Sequence, residues 1–227
     1  MNRIAVFARR PELGRAKTRL SPALPPEAAL DLYRGMLADA IAAAANAGCD
    51  ERRIVWADPA SPSDERFPTP VEFREGVQVG DDLGERLEAA FDELLDRPEA
   101  RAVVIGADCP ELEPEHFARA FAALDRHDLV VGPTLDGGYY LIGLRARSPA
   151  IFRGIKWSSS RVLDETRARA NDHGLAVTML DVLSDIDTPE DLVTLIARAL
   201  RAGPAFAGRA TQAALRSLGL LPTTLDR

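Results

Sequence analysis

Short runs of apolar residues alternate along the chain with longer stretches in which apolar positions recur every three or four residues. That alternation predicts βα units gathered into a mostly parallel sheet, an α/β fold of three layers with helices on both faces. Ile4 to Phe7 reads as the first strand. Pro26 then opens a helix whose Leu30, Tyr33, Leu37, Ile41 and Ala44 share one face, and Gly48 ends it. Ile54 to Ala57 predicts a second strand, a Pro/Ser-rich loop runs from Asp58 to Pro70, and a weaker strand lies near Val71 to Phe73. Asp82 is placed to cap a helix carrying Leu83, Leu87, Phe91 and Leu94 on one face.

The second half repeats the alternation. Ala102 to Ile105 is apolar at every position, as in a central strand covered on both faces, and it stops at Gly106-Ala107-Asp108. Pro114 starts a helix with Phe117, Phe121 and Leu124 inward, and Leu129 to Gly132 is another buried strand. Asp136-Gly137-Gly138 signals a tight turn into Tyr139 to Leu144, a candidate antiparallel strand. Ser160 to Asn171 reads as helix with Ser160 as its candidate cap, Ala176 to Leu180 as the last strand, and Thr188-Pro189-Glu190 as the start of a helix reaching Leu200. Beyond Gly203 only a short amphipathic stretch around Leu215 and Leu218 follows. The expected organisation is one domain over residues 1–203 and a C-terminal tail with a short helix over 204–227.

Composition narrows the function. At 227 residues, 46% hydrophobic and 28% charged, the chain has ordinary globular composition and enough length for a full core. No apolar run approaches the roughly 20 residues of a membrane span, and Met1-Asn2-Arg3-Ile4 enters a strand rather than a signal-peptide core, so a cytoplasmic location is expected. Cys49 and Cys109 are too few for a disulfide framework and lack zinc-site spacing. A net charge of −7 disfavours nucleic acid as a partner. A small anion needs only a local patch, and Arg9, Arg10, Arg15, Lys17 and Arg19 provide one.

That patch lies between the first strand and the first helix, where open α/β sheets bind ligands. Gly14 permits close backbone approach, Lys17 offers a point charge, and Arg19 offers a planar fork for phosphate oxygens. The glycine spacing of a Walker loop is absent, which disfavours a P-loop kinase. Asp108, at the end of the apolar strand, is a hard oxygen ligand suited to Mg²⁺ at a diphosphate site; closing a turn or capping the helix at Pro114 is the alternative, and its place directly after a strand covered on both faces favours the ligand role. Asp187, in Asp185-Ile186-Asp187-Thr188-Pro189-Glu190-Asp191-Leu192, is left over once Thr188 and Asp191 are assigned to a capping box, and is a candidate second ligand. Asp136 is a candidate base or acceptor contact as well as a turn residue. Trp157-Ser158-Ser159-Ser160 is a candidate acceptor wall, and Cys109 reads as packing rather than nucleophile.

Taken in order, five segments resemble one family: the loop from Phe7 to Leu20, Gly80-Asp81-Asp82-Leu83-Gly84-Glu85-Arg86-Leu87, Gly106-Ala107-Asp108-Cys109-Pro110, Asp136-Gly137-Gly138-Tyr139-Tyr140-Leu141-Ile142-Gly143, and Asp185 to Leu192. It is the DUF2064 group, assigned as glycosyltransferases that accompany radical-SAM/selenodomain proteins and linked by name to arsenosugar biosynthesis. The resemblance implies a GT-A-like nucleotide-diphospho-sugar transferase fold, shared with molybdenum-cofactor and phospholactate guanylyltransferases. It further implies that Asp108 and Asp187 form the pair for Mg²⁺ or Mn²⁺, that Lys17 contacts phosphate, and that Gly80, Asp81, Asp82 and Gly84 approach the base or ribose.

Two departures weigh on the reaction. Ala-Asp-Cys-Pro carries one acid where many GT-A glycosyltransferases carry Asp-x-Asp, and Asp136 to Tyr140 stands where phospholactate guanylyltransferases are rich in Gly, Thr and Asn. Three readings stay open: glycosyl transfer from a nucleotide sugar, nucleotidyl transfer from an NTP to a small-molecule acceptor, and non-catalytic nucleotide sensing. In the first, Lys17, Asp108 and Asp136 are the catalytic set. Tyr139-Tyr140 and the tail are candidates for a homodimer surface and equally for core.

Overall fold

The computed structural model describes residues 1–21, 23–59 and 67–222. A seven-stranded sheet forms its centre, in the order β3-β2-β1-β4-β6-β5-β7. The strands are β1 (Asn2–Ala8), β2 (Glu51–Trp56), β3 (Phe73–Val77), β4 (Arg101–Ile105), β5 (Leu129–Pro133), β6 (Tyr139–Leu144) and β7 (Val177–Met179). All neighbours are parallel except β6, which runs antiparallel to both β4 and β5, as the turn at Asp136-Gly137-Gly138 suggested.

Side-chain alternation along the strands divides the core in two. Ile4 and Val6 of β1 with Val103 and Ile105 of β4 face one side, against α1 (Pro26–Ala45), α3 (Pro114–Ala123) and α5 (Pro189–Ala202). Ala5, Ala102 and Val104 face the other, against α2 (Leu83–Leu94) and α4 (Val162–Asp172). This is the expected α/β/α sandwich. Within the tail, α6 (Arg209–Ser217) lies across α1 at Gly35, where a Cβ would come within 2.9 Å of the Ala210 carbonyl. Asp39 of α1 receives the Ala210 and Thr211 amides, both at 2.8 Å, so α6 starts on a carboxylate from another helix.

Two local expectations need correction, and a third is narrowed. The third strand begins at Phe73 rather than ending there, because its edge position leaves Arg74, Glu75 and Val77 exposed and removes the apolar run that marks a strand. Ser160 does not cap α4, whose flanking residue is Arg161 with no side-chain cap bond. Of the two alternatives left open for Tyr139-Tyr140, the core one fits, since Tyr140 is buried and Tyr139 is mostly covered. Residues 60–66 of the Pro/Ser-rich loop and 223–227 of the tail lie outside the described residues.

The strand order positions the site. From β1 the chain builds outward to β2 and β3, then returns to place β4 on the other flank of β1. The loops after β1 and β4 therefore lie side by side at the carboxyl edge of the sheet, the edge at which ligands bind in such folds.

Candidate active site

The crevice is a cleft of about 890 Å³, a volume suited to a nucleotide with a small second substrate. Its first wall is the loop after β1. Tyr33 of α1 anchors the loop's start: its hydroxyl donates to the Arg9 carbonyl and accepts from the Arg9 amide, both at 2.9 Å. Further on, Lys17 adopts a left-handed conformation (φ 52°, ψ 37°) that side-chain-bearing residues seldom occupy.

That turn aims Lys17 into the sheet edge. Its ammonium, with a side chain only 6% exposed, lies 2.7 Å from Asp108 Oδ1 and 2.6 Å from Asp187 Oδ1. Burial works against the charge on Lys17, but the two carboxylates outweigh it and raise its pKa. Asp108 follows β4, and its carbonyl accepts from the Ile186 amide at 3.1 Å. This bond draws the 185–187 segment to the strand end, so two distant carboxylates meet at one cation.

Asp187 is also fixed from behind. Thr188 and Asp191 form the expected capping box at the start of α5, and Asp191 additionally accepts from the Asp187 amide at 3.1 Å. Asp185 lines the same cleft, and burial together with the nearby charges of Asp136 and Asp187 pushes its pKa up to about 6. Asp136 Oδ1 accepts from the Thr134 hydroxyl at 2.6 Å and the Gly138 amide at 2.9 Å, so it braces its own turn while lining the cleft. Cys109 is buried, and burial drives its thiol well above the usual range, in keeping with a packing role.

The remaining sequence-assigned residues divide. Arg19, Asp81 and Asp82 line the cleft; Gly14, Gly80 and Gly84 do not. Asp82 caps α2 by accepting from the Glu85 amide at 2.9 Å, and Glu85 in turn accepts from the Asp81 amide at 2.8 Å. Gly80 has φ 135°, and a Cβ there would meet Glu85 Cβ at 2.6 Å. A Cβ at Gly84 would reach 2.8 Å from Trp157 Nε1, so that glycine lets the tryptophan close on α2. Sequence reasoning missed Asp185 and Arg86 as lining residues, and Arg10 lies outside the cleft, over the Trp56 ring at 4.8 Å.

The donor set suits a hard divalent cation. Two carboxylate oxygens converge on one cationic point, and Mg²⁺ is commonly bound through one or two carboxylates with phosphate oxygens and water completing its shell. Among the described residues no cluster of three or more His, Cys, Asp and Glu side chains is arranged around a metal-sized space, so any such shell draws on the substrate. No helix among the described residues is long and apolar enough to cross a membrane.

Comparison with known proteins follows the same lines. The profile of the family described as "Uncharacterized protein conserved in bacteria (DUF2064)" matches residues 40–159. A 3-phospho-D-glycerate guanylyltransferase of Phenylobacterium zucineum is 32% identical over 83% of this chain and 87% of its own. A 2-phospho-L-lactate guanylyltransferase of Halorubrum lacusprofundi is 33% identical over 93% and 92%. A solved structure from Desulfovibrio desulfuricans G20, provisionally named a nucleotide-diphospho-sugar transferase, superposes with a TM-score of 0.87 at 31% identity, covering 96% of this chain and 95% of that one.

Proposed function

Because the chain belongs to the DUF2064 family and is a transferase of the nucleotide-diphospho-sugar transferase fold, we propose that it transfers a nucleotidyl group from a nucleoside triphosphate to a phosphorylated small molecule. One observation carries this reading: Arg9, Arg15, Lys17 and Arg19 bring four of the cations that line the cleft onto the loop after β1, where Lys17 meets the carboxylates Asp108 and Asp187. A triphosphate laid across the crevice has its α-phosphate at the carboxylates and its β- and γ-phosphates on Arg15, Lys17 and Arg19. The guanylyltransferase names of relatives covering most of both chains point the same way.

An oxygen of the acceptor phosphate attacks the α-phosphorus. The bond from that phosphorus to the bridging oxygen breaks, and pyrophosphate leaves with the electron pair. Lys17 exchanges its carboxylate partners for phosphate oxygens as the nucleotide arrives, and with Arg19 offsets the charge growing on the leaving group. Asp108 and Asp187 would hold Mg²⁺ or Mn²⁺, which supplies Lewis-acid neutralisation of the phosphates. Asp82 and Asp81 shape the rim where the base or ribose rests.

Glycosyl transfer is the second reading, favoured by the provisional name of the Desulfovibrio structure. It uses the same phosphate contacts but breaks the sugar C1–O bond and releases a nucleoside diphosphate. The single acid at Asp108 and the three cations facing it weigh toward a triphosphate donor. The test is to incubate the protein with Mg²⁺, panels of NTPs with phosphorylated acceptors, and panels of nucleotide sugars, and to identify the product by anion exchange. Pyrophosphate is expected. A nucleoside diphosphate released from a nucleotide sugar installs the second reading instead, and saturable binding without product leaves a nucleotide-sensing module.

A further inference from the structure

The cleft takes its charge unevenly from the chain. Arg9, Arg15, Lys17, Arg19 and Arg86 all precede β4, and from β4 onward no Lys, Arg or His lines it among the described residues. That later half contributes Asp136, Asp185, Thr134, the Ser158 to Ser160 segment and Trp157.

This second wall is built, not loose. Gly137 has φ 89°, and a Cβ there would stand 2.0 Å from the Ser160 carbonyl, so the β5–β6 turn and the serine segment are pressed together. The Leu163 amide donates to the Gly137 carbonyl at 2.9 Å and ties α4 to the same turn. Ser158 is held at φ 60°, a left-handed conformation rare for a residue with a side chain, and the Ser159 hydroxyl donates to the Lys156 carbonyl at 2.7 Å. Trp157 closes the far side against Gly84 of α2.

Carboxylates, hydroxyls and an indole face without a cation form a poor seat for an anion and a good one for a polyol. Vicinal hydroxyls donate to carboxylate oxygens in charge-assisted bonds, and an aromatic ring covers the C–H face of a pyranose. A second carboxylate on the acceptor would instead meet Asp136 and Asp185, a like-charge contact that opposes binding. We propose that this wall is the acceptor subsite and that it selects a sugar phosphate, its phosphate turned toward the α-phosphate of the nucleotide and its hydroxyls toward Asp136, Asp185 and the serine segment, over a phosphorylated carboxylic acid. The inference rests on the nucleotidyl reading for which acceptor atom reacts, but not for what the wall holds.

The experiment is saturation-transfer NMR with titration, using the hexose 1-phosphates of glucose, galactose and mannose and, separately, 3-phosphoglycerate, each with the full chain, Mg²⁺ and GTP analogue. At least one hexose phosphate is expected to bind at least tenfold more tightly than 3-phosphoglycerate, with saturation reaching its ring C–H protons. Asp136→Ala and, because Asp136 also braces its own turn, independently Asp185→Ala are expected to weaken that binding about tenfold while leaving calorimetric binding of the GTP analogue within twofold. Equal or tighter binding of 3-phosphoglycerate, saturation transfer to none of the sugars, or no loss in either variant overturns the proposal. Failure to release pyrophosphate from any NTP would fall on the nucleotidyl reading alone, since the sugar preference is read without turnover.

Discussion

Replacing Lys17 by Met should separate metal binding from catalysis, because the same ammonium blocks one and serves the other. Lys17 occupies the point where Asp108 and Asp187 converge, at 2.7 and 2.6 Å. Its own side chain is 6% exposed, but the carboxylates are 44% and 39% exposed and partly hydrated. Each pair is therefore worth on the order of 1 kcal/mol rather than the larger value of a sealed ion pair. A divalent cation that displaces the ammonium gives up both pairs and recovers part of the lysine's hydration, a net cost of about 1 to 2 kcal/mol. Lys17→Met removes that competition, so Mn²⁺ titrated calorimetrically without nucleotide should bind about fivefold to thirtyfold more tightly. Turnover should fall by about a hundredfold or more, as the charge offset on the leaving group is lost. Melting should move by no more than a few degrees, since the buried ammonium's desolvation cost disappears with its pairs. Unchanged or weaker Mn²⁺ binding in the variant would refute the competition and place the metal elsewhere.

Asp108→Ala should abolish turnover while shifting the melting temperature little, because the backbone bond at this residue is the carbonyl's, which the substitution keeps; a large loss of stability would make its ion pair with Lys17 structural instead. Asp191→Asn tests the platform behind Asp187. Burial raises the Asp191 pKa, but the Thr188 hydroxyl and the amides of Thr188 and Asp187 outweigh it and hold it below the usual carboxylate value. Its contribution of about 1 kcal/mol is thus present above the unfolded pKa near 4 and lost as pH falls through the lowered folded value. Urea midpoints of wild type and variant should differ steadily from pH 7 to 5 and converge below pH 4; a gap that widens toward acid contradicts the sign. Gly137→Ala puts a methyl 2.0 Å from the Ser160 carbonyl at φ 89° and should cost about 2 to 3 kcal/mol in a urea titration, with an unchanged midpoint showing that the two segments part easily.

The sheet's inner strands are legible in the sequence because they are covered on both faces, and a strand such as Ala102 to Ile105 must then be apolar at every position. The edge strand β3 hides for the opposite reason. Only Phe73 among its side chains is buried, so burial leaves almost no trace in its composition. Helix starts were equally readable where a local bond decides them: Asp82 and Thr188 each reach an amide three residues on. The first turn of α4 has no such bond, and Ser160 proved a lure; its carbonyl, not its hydroxyl, is what the neighbouring turn packs against.

Two glycines beside the site show where spacing in the sequence is ambiguous. Gly80 and Gly84 sit in a motif that suggests backbone approach to a nucleotide, yet what crowds them is Glu85, Phe152 and Trp157 of the protein itself. Spacing along the chain cannot tell a glycine that admits a ligand from one that admits a neighbouring helix. The ambiguity is resolved only by the pair of elements that meet there.

The basic loop illustrates the same limit for charge. Five cations between Arg9 and Arg19 read alike in sequence, as solvated residues or as phosphate contacts, but the fold assigns them different partners. Arg10 lies over Trp56, Arg15 pairs with Glu12 and reaches Asp58, and Lys17 is drawn to a carboxylate 170 positions away. The strand order explains why that last contact forms: returning from β3 to place β4 beside β1 brings Asp108 to the crevice, and the Ile186 amide bonded to the Asp108 carbonyl brings Asp187 with it. A phosphate ligand therefore does not meet five equivalent charges. It meets a lysine already committed to two acids, and its binding depends on how readily that commitment is exchanged.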